Sequence, residues 1–157
     1  MRYVVFLALA LYAASSLAFD SFNNESDRVT DQIKCASPKI TPGSGSWGAL
    51  YGCVGGQSET VKFFINEDPS NGQVKNVKFL WNDWTRDGGY GKHADEALAR
   101  AWVSVLGAMY APRKVDQVLD AFFSSTDTSI DGESHFLKYT YRSGSGIDER
   151  MFIVVEK

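Results

Sequence analysis

Apolar and polar positions change period along the chain, and the changes mark its elements. Residues 47–54, 60–65 and 74–81 alternate and are rich in aromatic and β-branched side chains, with Gly55-Gly56 and Asp68-Pro69-Ser70-Asn71-Gly72 between them. Those breaks are strong turn signals, so the three runs predict an antiparallel meander. From 94 to 109 the spacing becomes helical: Ala94, Ala97, Leu98, Ala101, Trp102, Val105, Leu106 and Met109 share one face. Pro112 stops this helix and suits the first turn of a second, which runs to about Phe123 with Val115, Val118, Leu119, Phe122 and Phe123 turned inward. Residues 135–142 and 150–156 return to strand alternation around a loop carrying Gly144 and Gly146.

The expected order is therefore β-β-β-α-α-β-β, with no internal repeat. Strands grouped apart from helices predict an α+β fold, a five-stranded, mainly antiparallel sheet with two helices packed on one face. Alternation assigns Val61, Phe63 and Ile65, Val77, Phe79 and Trp81, Leu137, Tyr139 and Tyr141, and Met151, Ile153 and Val155 to the side under the helices. The opposite side then carries Lys62, Lys78, Lys138 and Arg142 together with Phe64, Leu80, Phe136, Phe152 and Val154. Left open, such an apolar strip marks an interaction surface. The N-terminal segment, laid across it, would bury it instead.

Residues 1–18 read as a signal peptide. Arg2 is followed by an apolar run over 4–14, too short for a span of about 20 residues, and Ser16-Leu17-Ala18 supplies the small-x-small pattern of a cleavage site. The expected organisation is a leader over 1–18, an irregular segment over 19–45 and a single α+β domain over 46–157. Within the segment, Val29 and Ile33 would share one side of a short helix over 27–33. Export places the protein in a secreted or periplasmic compartment and makes a disulfide the natural state of its two cysteines, Cys35 and Cys53. No later stretch predicts a membrane span.

Net charge is −3, one unit more negative without Arg2, and no run of Lys and Arg occurs. Nucleic acid is therefore not the expected partner. The densest polar and aromatic stretch is 81–93, between the third strand and the first helix. Asp83, Thr85 and Asp87-Gly88 partly match a calcium loop, but Ala94 stands where a bidentate Glu is required, so no metal is assigned. Gly89-x-Gly91-x-x-Ala94 lacks the alternating β-α context of a dinucleotide site, and no cofactor is expected. His93 and His135, set among polar neighbours without a serine partner, read as solvated or capping side chains.

What remains is recognition. Trp84, Arg86 and Tyr90 are of the types that dominate interface energetics, and Asp83, Asp87 and His93 flank them. With Phe64 and Phe136 on the open side, they form the candidate binding set, joined by the polar hairpin over 142–150. No catalytic constellation is evident. The expected function is a non-catalytic binding protein, of inhibitor or immunity type, engaging a protein partner or a second copy. The alternatives are a small cell-envelope hydrolase using Asp83, Asp87 or Glu149, and a carrier of a small apolar or anionic ligand.

Overall fold

The computed structural model describes residues 18–157, so the expected leader lies outside the described residues apart from Ala18. Three helices, α1 (Phe22–Ile33), α2 (Glu96–Tyr110) and α3 (Val115–Phe122), accompany seven strands. The strands are β1 (Lys39–Thr41), β2 (Leu50–Gly55), β3 (Val61–Glu67), β4 (Val74–Trp84), β5 (Thr128–Asp131), β6 (His135–Arg142) and β7 (Ile147–Glu156). They form one antiparallel sheet in the order β1-β2-β3-β4-β7-β6-β5. The α+β class holds, but the five-stranded, two-helix architecture is overturned.

Each missed element has a physical reason. β1 and β5 are the edges of the sheet, and strands this short carry little periodicity of their own. Only Ile130 of β5 is buried, and β1 is exposed throughout. Helix α1 starts five residues before the expected 27–33, because Ser21 caps it: the Asn24 amide donates to the Ser21 hydroxyl at 3.4 Å. Its far end closes at Lys34 in the left-handed region, φ 55°. Trp47 does not open a strand; it stands 80% exposed beyond an isolated bridge to Ser44.

All three helices pack on one face of the sheet. Phe22, Val29 and Ile33 of α1 join the core of Tyr51, Phe63, Ile65, Phe79, Trp102 and Leu106. The N-terminal segment therefore covers the helical face and not the opposite one. The Cys35–Cys53 disulfide, Cα to Cα 6.2 Å, ties the end of α1 to β2. A closed loop of this size contributes about 3 kcal/mol in the chain-entropy picture. No helix among the described residues is long and apolar enough to cross a membrane. The disulfide fits an extracellular protein.

The phase of β7 is the reverse of the expected one. Phe152 and Val154 are buried opposite Phe79 and Val77, whereas Met151, Ile153 and Val155 face the open side. Apolar side chains occur on both sides of β7, so alternation alone does not choose. Pairing with β4 chooses, and it turns Asp148 and Arg150 inward.

His135 is also misplaced by its polar neighbours. It is fully buried, its ring 4.5 Å from Phe19 and 5.2 Å from Tyr110. Neither ring nitrogen has a hydrogen bond of good geometry, and the Tyr110 backbone offers only a weak attraction. Burial holds the ring's pKa below its usual 6.5, against the smaller pull of Glu25. In the unfolded chain the ring takes its proton near pH 6.5, before the folded one does. The unfolded state then binds more protons, and stability falls as pH drops through that value. In His135→Leu the fall between pH 7 and pH 5 becomes shallower, as urea melts at the two pH values will show. Identical slopes in variant and parent would mean that burial does not shift the titration of this ring.

Candidate functional site

The uncovered side of the sheet is built by alternation and completed by β7. Phe64 sits between Gly52 of β2 and Lys78 of β4, and Leu80 pairs with Met151. Gly52 leaves room for the ring, since a Cβ there would lie 3.3 Å from Phe64 Cε1. Leu50, Phe64, Asn66, Lys78, Leu80 and Met151 line a shallow groove of about 310 Å³, open to solvent. Met151 entered this surface only through the reversed phase of β7. Phe136, 47% exposed, lies on the same side, separated from Phe64 by β4 and β7. It pairs with Val155, and the Lys157 ammonium stands 5.1 Å from its ring centroid.

Charge on this side is one-sided. Pairing places Lys39, Lys62, Lys78, Lys138 and Arg142 there, against Glu149 and the edge residue Asp131. Asp131 is already bonded to Lys157 at 2.5 Å. A chain of net charge −3 thus turns a basic, apolar face to solvent.

The 81–93 stretch divides into parts with different tasks. β4 continues to Trp84, three residues past its expected end, so Asp83 and Trp84 are strand residues. Trp84 faces the open side opposite Ile147 and carries the Tyr90 ring at 5.1 Å. Gly88 packs against its indole, where a Cβ would meet Cζ3 at 2.9 Å. The aromatic pair therefore extends the apolar face toward the 142–150 hairpin, to which the Thr85 amide is bonded through the Gly146 carbonyl at 3.1 Å. Arg86 is exposed beside Gly146.

The acidic members of the set hold the backbone. Asp87 Oδ1 accepts from the Gly89 and Gly91 amides at 3.0 and 3.1 Å, and these bonds keep its carboxyl below the usual range. Asp83 is buried. One of its oxygens meets His93 Nδ1 at 2.7 Å and the other meets Arg150 Nε at 3.3 Å. His93, with φ 53° and a half-exposed side chain, also donates its amide to the Trp84 carbonyl at 2.7 Å. Asp148 accepts from the Tyr141 and Ser143 hydroxyls and from the Gly144 amide, and the Tyr141 bond lowers its pKa most.

Arg150, absent from the candidate set, is the centre of this arrangement. Besides Asp83 it donates to the Phe122 and Ser124 carbonyls and to the Tyr139 hydroxyl. Its signal was in the sequence as a charge on a strand whose two sides were both apolar. The Asp83–His93 pair spans ten residues across a loop, and nothing local announced it.

Fold and site together define an α+β protein with one sheet face helix-covered and the other basic, apolar and open. Comparison with known proteins finds no matching family model, no similar curated protein and no similar solved structure.

Proposed function

We propose that the protein is exported and acts as a non-catalytic binding protein, taking an acidic protein partner with apolar anchors on the open face of its sheet. The observation that carries this reading is the Leu50, Phe64, Leu80 and Met151 groove, with Lys78 in its wall and Lys62 paired beside Leu80, in a molecule of net negative charge. Apolar anchors at the centre and charge at the rim are the anatomy of a recognition surface. Two copies meeting through this face would bring basic rims together, which disfavours a homodimer. The groove is open, not enclosing, which favours a partner's side chain over an encapsulated small ligand. Asp83, Asp87 and Asp148 are each held by protein donors, which supports binding over hydrolysis.

The test is retention of partners from the exported fraction by the immobilised protein. The parent should hold an acidic protein in a salt-sensitive manner. Phe64→Asp should weaken its retention at least 30-fold, as expected for a central anchor worth about 2 kcal/mol or more. Asp120→Ala, on the helical side, should leave it unchanged. A parent that retains nothing and stays monomeric, a set of retained proteins indifferent to Phe64→Asp, or a dimer dissolved by Phe64→Asp would each refute the assignment.

A further inference from the structure

We infer that cleavage of the leader after Ala18 is a structural step as well as a targeting one: the α-ammonium group it creates on Phe19 is a second ionic partner of the buried Glu25 carboxylate, on the oxygen that Arg28 does not reach. This rests on the export part of the proposed function and is independent of the binding face.

Glu25, in the first turn of α1, has no solvent exposure. Its two oxygens are served unequally. Oε1 accepts from the Tyr110 hydroxyl at 2.5 Å and from the Arg28 guanidinium at 2.5 Å. Oε2 has, among the described residues, one long contact, 3.4 Å from the Asp20 amide. A buried carboxylate oxygen so poorly served is costly, and a short charged donor is what would correct it.

The nitrogen of Phe19 lies one residue before the amide that already reaches Oε2. Ala18, Phe19, Asp20, Glu25 and Arg28 line one pocket of about 400 Å³. Phe19 is anchored where most chain termini fray. It is 8% exposed, with its ring 4.5 Å from His135 and 5.7 Å from Tyr110. Among the described residues Arg28 is the one cation on Glu25, and it sits on Oε1; Tyr110 keeps its proton because it is buried beside Glu25, and burial disfavours the proton on His135. The bond that Ser16-Leu17-Ala18 marks for cutting lies one peptide before the one donor to Oε2, the Asp20 amide, and Oε2 has no cationic partner among the described residues.

The chemistry supplies it. A signal peptidase hydrolyses the Ala18–Phe19 amide with water. The hydroxyl goes to the Ala18 carbonyl carbon, and hydrogen goes to the Phe19 nitrogen, which takes a further proton at neutral pH. An uncharged peptide N–H becomes an ammonium with three donors. The α1 dipole opposes a positive charge at this end of the helix. That exposed-end effect is smaller than the need of a buried carboxylate. A precursor lacking the contact is less stable, which keeps it closer to the unfolded chain that export requires.

Semisynthesis tests this directly, because Cys35 permits ligation of a synthetic 19–34 peptide to the remainder of the chain. One peptide carries a free Phe19 amine and the other an acetylated one, and both products are oxidised and refolded alike. The free form should have a folded-to-unfolded ratio about tenfold higher at pH 7. The free amine of an unfolded chain titrates near pH 7.7–8.0, and a carboxylate partner raises that value in the fold. The advantage should therefore fade above pH 8, as the folded amine loses its proton. In Glu25→Gln the free and acetylated forms should be equally stable. Intact mass of the naturally exported protein should place its first residue at Phe19. Equal stability of free and acetylated parent chains at pH 7, an advantage that persists to pH 10, or an exported chain beginning elsewhere would overturn the inference.

Discussion

Replacing Arg150 by methionine will lower the unfolding free energy by about 3–5 kcal/mol, the usual result of removing one partner from a buried ion pair. Arg150 is 9% exposed, and four groups depend on it: Asp83, the Phe122 and Ser124 carbonyls and the Tyr139 hydroxyl. Methionine keeps much of the stem's volume and none of the donors, so the loss reports unpaired acceptors and not a cavity. Asp83 keeps only His93, and the carbonyls at the end of α3 lose their tie to β7. Urea unfolding measures the effect as a lower midpoint with unchanged slope. Adding Asp83→Asn to Arg150→Met should cost less than the two single losses combined, because the orphaned charge is gone. A loss below 1 kcal/mol in Arg150→Met would show that water replaces the guanidinium and that the cluster is not closed.

Phe122→Ala should be comparably severe, about 3–5 kcal/mol, through the cavity it leaves. Phe122 is fully buried at the last turn of α3 and is the hub of an aromatic group. Its ring centroid lies 5.1 Å from Phe79, 5.3 Å from Phe123, 5.8 Å from Tyr139, 5.9 Å from Phe152 and 6.4 Å from Trp81. Rings from β4, β6 and β7 all rest on it, so no single neighbour can swing in to fill the space. Phe122→Leu should recover roughly half of the loss, because the leucine side chain fills part of the volume. Thermal and urea melts of the two variants check this. Equal stability of Phe122→Ala and the parent would mean that α3 is not docked on the sheet as described. Phe122 also offers its carbonyl to Arg150, so the two substitutions should not be additive.

These two residues show what local pattern reveals and what it does not. Phe122 was legible: it falls on the inward stripe of a helix whose period is plain in the residues. Arg150 was not. The inward side of β7 reads Asp148, Arg150, Phe152, Val154, and the outward side reads Ile147, Glu149, Met151, Ile153, Val155. Apolar content favours the outward side, and only the ladder with β4 shows that the charged side is the interior one. Burial of the charges works because Asp83, a residue that reads as loop, lies in the same ladder opposite Asp148.

The open face of the sheet was legible in a similar measure. Phe64, Leu80 and Phe136 were assigned to the open side by alternation, and they stand there. Trp84 and Tyr90 were singled out by residue type, and the structure joins them as a tilted ring pair. Met151 was lost with the phase of its strand. His135 was read from its polar neighbours, although its alternation with Leu137 and Tyr139 pointed inward.

By itself, the sequence determined what depends on near neighbours: the periods of the long strands and of the two later helices, the turns between them, the two-cysteine pairing and the α+β class. The tertiary structure alone decided what depends on distant ones. It added short edge strands that exist only by pairing, set β7 by its register with β4, and gathered Asp83, His93 and Arg150 into one cluster. It also laid α1 on the already covered face, which leaves the other face open. The reason is range: hydrogen-bonded period is written within a few residues, whereas the choice between two apolar sides is made by whichever surface folds against them.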